Sequence, residues 1–563
     1  METARQWLDP VLRIPDVINE VLGDVHPFRI IVLTCGATIL AFYLRNLEIT
    51  DEPWRRVRAW GLRKLFKLSF IRKYVDREVQ KARKELIHGL DQEVAGSPYI
   101  THLPSQGLDP NDILQRTELY CKFGKVKYEE GRASGAVYEV DPKQYEIMMK
   151  VYARTVKFNN LHRDIFPGCR KMEAEIVRMV CNIFHGGKNS CGVLTSGGTE
   201  SLILACLAYR NWAREERGIS RPEMVVPVSA HAGFDKAASF LNMKIRHVPV
   251  DPVTQKVNPQ IMKKYINRNT CMLVGSAPGF PHGVMDPIEE IARLGASRGI
   301  PVHVDGCLGG FLIAFMEDAG FPFPPFDFRV KGVTSISADT HKYGYCIKGS
   351  STVMYSEPIY LQHQIYVNAD WQGGAYATPT LAGSRPGGMT AASWAGLLHM
   401  GYDGYVQATR NIISKARYIE ANVKKIPGLK TLGPPEVSIV SIMSDTFSIY
   451  RFSDGMFQRG WALSNLQSPS AVHLCVTKAH CMEGVADQFL ADAAEIAAQL
   501  IKDPQQVKEG AGVMYGVSQE IPDRSIVKEF VCSFVEAWYH TKSEDEESDE
   551  KEVLTNGAAM NLT

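Results

Sequence analysis

Four short stretches carry residue types that can do chemistry together. The stretch "SADTHKYGYCIKGSS" (337–351) holds Lys342 and Lys348 six positions apart, with Asp339 and His341 just ahead of the first. In "LTSGGTESLILACLAYR" (194–210), Gly197 and Gly198 break the chain before Thr199-Glu200-Ser201 opens a strongly helical run. Glycines let backbone N–H groups crowd together, and a helix N-terminus adds its positive end, so the pair makes an anion cup. No Lys-Ser/Thr follows the glycines and their spacing is not G-x-G-x-x-G, which excludes a P-loop and a dinucleotide fingerprint. His231 lies in "SAHAGFDKAA" (229–238) and Asp305 in "VHVDGCLGGF" (302–311). Singly, each has a plain structural reading: a capped helix, a loop histidine, a turn-capping carboxylate, a solvated lysine. Their order along the chain is what those readings leave unexplained.

The elements that must position these groups are legible as alternating β-rich and helical runs. "MVVPVSA" (224–230) precedes the helical "FDKAASFL", and "TCMLVGSAP" (270–278) precedes "DPIEEIARLGASRG", which ends on a glycine stop. "IPVHVDG" and "VTSISAD" (333–339) follow. Apolar strands separated by helices predict a mainly parallel sheet covered on both faces, with active groups at the carboxyl ends of its strands. His231, Asp305 and the Asp339–Lys342 turn all fall at such ends. An anion cup, an aromatic ring, a buried acid and a lysine, each on its own βα unit, form the set that pyridoxal 5'-phosphate requires. The cofactor takes a lysine for its Schiff base, an acid against its pyridinium nitrogen and a cradle for its phosphate. Lys342 is the better Schiff-base candidate, because it follows a strand end directly and has His341 beside it.

On "TSGGTES", "SAHAGFDKAA", "VHVDGCLGGF", "SADTHKYGY..KGSS" and "AGSRPG" (382–387), the chain resembles the pyridoxal-dependent decarboxylase superfamily of fold type I. Within it, the chain is most similar to the carbon–carbon lyases of phosphorylated long-chain (sphingoid) bases, over about residues 20–540. The resemblance implies an α/β, aspartate-aminotransferase-like large domain (161–404), preceded by an arm (97–160) and followed by a smaller α/β domain (405–540). It makes Lys342 the cofactor lysine, Asp305 the partner of the pyridinium nitrogen and His231 the residue stacked on the ring. Gly198 and Thr199 would hold the cofactor phosphate, with His341 at the same site. Tyr138, Asn159, His162 and Lys348 would hold a second phosphate, that of the substrate. It also implies a homodimer with active sites at the interface and a contribution from the segment around Tyr366 to Tyr376. The implied reaction is retro-aldol cleavage of the C2–C3 bond to a fatty aldehyde and phosphoethanolamine, with the base for the C3 hydroxyl left open.

Composition frames these expectations. The 563 residues are 45% apolar and 22% charged, an ordinary globular balance, and the formal charge of +1 gives no global attraction to nucleic acid. The twelve cysteines show no C-x-x-C and no zinc or disulfide spacing, so no metal is expected and a reducing compartment is. Residues 30–44 carry no charge and lie between Arg29 and Arg45. Arg55, Arg56, Arg58, Arg63, Lys64, Lys67, Arg72 and Lys73 follow within thirty residues. Such asymmetry predicts a single-span anchor in the endoplasmic reticulum membrane, with a short lumenal N-terminus (1–29), a basic connector (45–96) and a cytosolic catalytic region. Residues 541–563, including "KSEDEESDEKE", predict a disordered acidic tail. In the smaller domain, "VSIVSIM" (437–443) and "FSIYRF" (447–452) read as adjacent strands, with another around Val472 and a structural His473.

Two other readings fit parts of the sequence. An amino-acid decarboxylase shares the fold, but decarboxylases commonly carry Asp-Ala where this chain has Asp305-Gly306, and often a tryptophan where it has Tyr343. A scaffold without cofactor is disfavoured by the complete set of Lys342, Asp305, His231 and the glycine cup. Release of carbon dioxide identifies the first, and a colourless purified protein the second.

Overall fold

The computed structural model describes residues 69–94, 97–504, 516 and 524–541. The predicted anchor at 30–44, half of the basic connector and nearly all of the acidic tail lie outside these residues. The chain forms two compact units, residues 1–125 with 514–563, and residues 126–513. In the first, the helix Ser69–Glu93 packs on Arg524–Ala537, with Arg72 bonded to Glu529 at 2.8–2.9 Å. No helix among the described residues is long and apolar enough to cross a membrane.

The second unit is built on a seven-stranded sheet. Its strands are β1 (Cys191–Thr195), β2 (Glu223–Pro227), β3 (Lys244–Val248), β4 (Thr270–Ser276), β5 (Val302–Asp305), β6 (Val333–Ala338) and β7 (Ser351–Tyr355). They are ordered β1-β7-β6-β5-β4-β2-β3, and β7 alone runs against its neighbours. All seven residues of β4 are buried, as a strand covered by helices on both faces requires. The helix Ile288–Ala296 covers it with Ile288 and Ile291, each burial contributing on the order of 1.5–3 kcal/mol. That helix stops at Gly299, whose φ of 62° a side chain would resist, and the chain returns directly into β5. The β5–β6 register sets Asp305 beside Ser337 and His303 beside Ser335. Both predicted strand ends therefore lie side by side at one edge of the sheet face.

A short hairpin, β8 (Tyr366–Asn368) with β9 (Tyr376–Thr378), stands apart from this sheet. A second sheet of β10 (Lys430–Thr431), β11 (Ile439–Met443), β12 (Ser464–Leu466) and β13 (Ala471–Cys475) is antiparallel, in the order β10-β11-β13-β12. The strands expected at 437–443 and around Val472 are β11 and β13. The strand expected at 447–452 is instead the start of a helix, Ile449–Gln458. Ile449, Phe452, Ser453 and Met456 share its buried face at helical spacing, a period that a six-residue window ending at Phe452 cannot reveal. His473 is wholly buried, with Nδ1 3.0 Å from the Pro281 carbonyl.

Candidate active site

Lys342 follows β6 by a four-residue turn. Its Nζ lies 2.8 Å from Asp339 Oδ2. Burial opposes the charge on Lys342, but Asp339 outweighs it and holds the ammonium above the usual lysine range. Asp339 is itself fixed by Ser351 Oγ, which donates to Oδ1 at 2.6 Å, and His341 Nε2 stands 3.6 Å from Oδ2. The His341 ring is oriented by the Ser350 N–H, which donates to Nδ1 at 3.2 Å, and burial lowers its pKa.

A cavity of about 360 Å³ opens beside Lys342, and Gly198, Thr199, His231, Cys307 and His341 line it. Gly198 begins the twenty-residue helix Gly198–Arg217. A Cβ at Gly198 would meet the Asp339 carboxylate at 2.7–2.8 Å and Cys307 Sγ at 3.0 Å, so only glycine permits this approach. Glu200 folds back to accept from the Ser196 N–H and hydroxyl, both at 2.7 Å, leaving the first helical N–H groups to the cavity side. His231 is oriented by the Gly233 N–H, which donates to Nδ1 at 3.0 Å, and packs against the edge of Phe280.

Asp305 is buried at the end of β5 and accepts from the Cys307 N–H at 3.0 Å and the Ser337 hydroxyl at 3.5 Å. Among the described residues no cation pairs with it, although its field acts on Lys342. A buried carboxylate without a positive partner is costly, and a protonated ring nitrogen would supply one. The lysine, this carboxylate and the glycine-tight helix start fit pyridoxal phosphate at its aldehyde, its ring nitrogen and its phosphate.

Lys348 has a different environment. Its Nζ donates to the His341 carbonyl at 3.3 Å and lies 4.7 Å above the Tyr138 ring. Among the described residues no carboxylate pairs with it; desolvation and repulsion from Lys342 lower its pKa. Tyr138 is buried edge-on to Tyr343, with centroids 4.9 Å apart, and burial raises its pKa. Asn159 donates to Ser384 Oγ at 3.0 Å and accepts from the Arg385 N–H at 3.1 Å. Ser384 and Arg385 line a smaller cavity, of about 100 Å³, together with Gly349 and Ser350, which adjoin Lys348. His162 is exposed, held by its N–H to the Asn159 carbonyl at 3.2 Å.

The structure thus gathers Gly198, Thr199, His231, His341 and Lys342 on one cavity, places Asp305 behind its lining residue Cys307 within electrostatic reach of Lys342, and joins Lys348 to Tyr138. Asn159 reaches the neighbouring cavity wall, and His162 borders it only through backbone. Tyr366 and Tyr376 lie on the β8–β9 hairpin; neither lines a cavity, but the Tyr376 hydroxyl stands against Gly383, between Ala382 and Ser384 of the smaller one. Asp339 and Cys307 also line the cavity, and the sequence alone assigns neither a role there. The i, i+3 spacing of Asp339 and Lys342 in one turn was the available signal for the first; Cys307 had none.

This fold, with a lysine and an unpaired aspartate at adjacent strand ends, defines a pyridoxal-phosphate enzyme of fold type I. The pyridoxal-dependent decarboxylase conserved domain matches residues 141–442. The chain is 47% identical to sphingosine-1-phosphate lyase 1 of Rattus norvegicus, over 93% of this chain and 92% of that one. It is 45% identical to the sphingosine-1-phosphate lyase of Drosophila melanogaster, over 94% and 97%. The solved sphingosine-1-phosphate lyase of Burkholderia pseudomallei superposes with a TM-score of 0.71 at 38% identity, over 77% of this chain and 98% of that one. The chain belongs to the sphingosine-1-phosphate lyases of the pyridoxal-dependent decarboxylase family.

Proposed function

We propose that the protein cleaves sphingosine-1-phosphate and related phosphorylated long-chain bases between C2 and C3, giving a fatty aldehyde and phosphoethanolamine. The observation that carries this reading is Lys348, a cation with an aromatic and a carbonyl neighbour but no carboxylate among the described residues, six residues from the cofactor lysine. An amino-acid decarboxylase has no use for a second phosphate site; a phosphorylated base requires one.

Pyridoxal phosphate, when bound, supplies the electron sink that accepts the pair released by C2–C3 cleavage. Lys342 would hold it through Nζ, Asp305 would face its ring nitrogen, His231 would cover the ring, and Gly198 with Thr199 would hold its phosphate. Lys348 binds the substrate phosphate as a point charge, which suits an ammonium. Tyr138 gives that phosphate a hydroxyl and holds Nζ over its ring; Asn159 and His162 complete the set. Lys342, once the substrate amine has taken its place, leaves Nζ as one candidate to move the proton of the C3 hydroxyl.

Three further parts of this reading concern assembly. Residues 30–44 anchor the chain in the endoplasmic reticulum membrane with the N-terminus lumenal, which brings a cytosolic site to an amphiphilic substrate. Two chains pair with their active sites at the interface, and the hairpin from Tyr366 to Tyr376, where Tyr366 and Trp371 are exposed, reaches the partner's site. An N-glycosylation acceptor placed within residues 1–29 becomes modified if that segment is lumenal, and light scattering gives the mass of the assembly. The function itself is tested by incubating the full chain with pyridoxal phosphate and sphingosine-1-phosphate. Fatty aldehyde without carbon dioxide is expected; carbon dioxide from amino acids, without aldehyde, would overturn the reading.

A further inference from the structure

Behind Asp305, on the side away from any charged partner, the sheet interior contains an unbroken line of polar groups. Tyr209 O–H donates to Ser335 Oγ at 2.6 Å, and Ser335 Oγ lies 2.7 Å from His303 Nδ1. His303 Nε2 lies 3.1 Å from Ser337 Oγ, and Ser337 donates to Asp305 Oδ1 at 3.5 Å. Every member except the carboxylate end is essentially without solvent: Tyr209, His303, Ser335 and Ser337 are all fully buried. The alignment follows from the fold. His303 and Asp305 point to one face of β5 two residues apart, Ser335 and Ser337 sit opposite them on β6, and Tyr209 reaches across from the helix Gly198–Arg217.

One arrangement of the hydrogens runs the whole length of this line, with the Tyr209 hydroxyl turned to Ser335 rather than to Thr334 Oγ1, 2.7 Å away. An ionised carboxylate only accepts, so the Ser337 hydroxyl donates to Asp305. The Ser337 oxygen then accepts from His303 Nε2–H and from the Cys307 thiol, 3.1 Å away. A neutral imidazole carries one N–H, which leaves Nδ1 to accept from Ser335 O–H, and the Ser335 oxygen to accept from Tyr209 O–H. Burial, which pushes the His303 pKa down to about 4, keeps the ring neutral as this arrangement needs. Four donors in series all point at Asp305, and aligned buried hydrogen bonds polarise one another in a low-dielectric interior.

We propose that His303 is a positioning residue for Asp305, acting with Ser335, Ser337 and Tyr209 as an aligned relay. It holds the carboxylate aimed at the cofactor ring nitrogen through neutral donors, with no charged partner for it among the described residues. This proposal rests on the reading of Asp305 as the partner of a pyridinium nitrogen. Burial alone asks for partners on both ring nitrogens, but not for a chain of hydroxyls that ends on that one carboxylate.

The test compares pyridoxal phosphate affinity and the absorption spectrum of the bound chromophore in wild type, His303→Phe, His303→Gln, Ser337→Ala and Tyr209→Phe. His303→Phe and Ser337→Ala are expected to weaken cofactor binding by roughly ten-fold or more, the scale of a lost bond to a charged group. Both should also shift the chromophore band and lower kcat with substrate KM unchanged. His303→Gln, whose amide can still donate to Ser337, should recover most of that loss, and Tyr209→Phe should move the same readouts by only a few-fold. Ser337→Ala removes a single hydroxyl, so it decides the matter should His303→Phe fail to fold. Wild-type affinity and spectrum in Ser337→Ala, or lowered Tm alone in the His303 variants, would overturn the proposal. A wild type that bound the cofactor but released no aldehyde would overturn the substrate reading, and the same affinities and spectra would still judge the relay. A wild type that bound no pyridoxal phosphate would overturn both.

Discussion

Asp305 and Asp339 end neighbouring strands of one sheet, both are buried, and their surroundings are opposite. Asp339 is neutralised: Lys342 Nζ stands 2.8 Å away, His341 faces it and Ser351 donates to it. Among the described residues Asp305 receives only neutral donors, the Cys307 N–H and the Ser337 hydroxyl, although a cation would relieve its burial. The sheet thus carries one carboxylate that already owns its cation and another that awaits one. The same contrast separates the lysines six residues apart. Lys342 is locked to an acid, whereas Lys348 has an aromatic face and a carbonyl, and remains open to an anion. On the function proposed above, matched groups in unmatched surroundings would divide the labour: one pair would receive the cofactor, and the other members would face its ring nitrogen and the substrate phosphate.

Exchanging these surroundings breaks the comparison most severely at Lys342. Lys342→Ala is expected to lower aldehyde formation by at least roughly 10³-fold, since both the cofactor anchor and a proton carrier are lost. The absence of a protein-bound chromophore after borohydride treatment checks that the anchor is what failed.

Removing the two carboxylate charges separates their roles. Asp305→Asn is expected to cost about 10²–10³ in kcat, as loss of a preorganised electrostatic partner does. Asp339→Asn acts instead on the lysine. Asp339 holds the Lys342 ammonium above its usual range, so its loss lowers that pKa and frees the amine at lower pH. Stopped-flow capture of pyridoxal phosphate should then be faster at neutral pH in Asp339→Asn than in wild type, with its rise moved towards acid. An unchanged pH profile would contradict the pairing.

At Lys348, replacement by alanine should raise KM for a phosphorylated base by roughly ten- to a hundred-fold, and leave turnover of the bound substrate nearer to wild type. Gly198→Ala is the gentlest of these changes. The added methyl meets the Asp339 carboxylate and Cys307 Sγ, and should cost about 1–3 kcal/mol of stability by thermal unfolding. Pyridoxal phosphate affinity should fall with it.

Much of this contrast was legible in the sequence, and the reasons are local. The glycine cup, His231, Asp305 and Lys342 each stand at a junction where an apolar run meets small residues, and such junctions survive in one dimension. The partner of Lys342 stands three residues away in the same turn, a spacing that does not by itself tell an ion pair from a turn cap. The line from Tyr209 to Asp305 was not legible at all. Its members are brought together by the β5–β6 register and by a helix 126 positions from Ser335, and no local pattern encodes that. The misread of 447–452 has a different origin: six residues are too few to tell a period of two from one of 3.6 when most of them are apolar. The run at 30–44, the strongest signal in the first hundred residues, lies outside the described part of the chain.

The most direct test of the two-lysine division is a single comparison of rates on a phosphorylated and a dephosphorylated long-chain base. Full-length wild type, Lys342→Ala and Lys348→Ala would be loaded with pyridoxal phosphate and assayed for fatty aldehyde. The account predicts aldehyde from wild type with the phosphorylated base, none from Lys342→Ala, and from Lys348→Ala a raised KM that brings the two bases closer together. Equal KM values for wild type and Lys348→Ala on the phosphorylated base would contradict it.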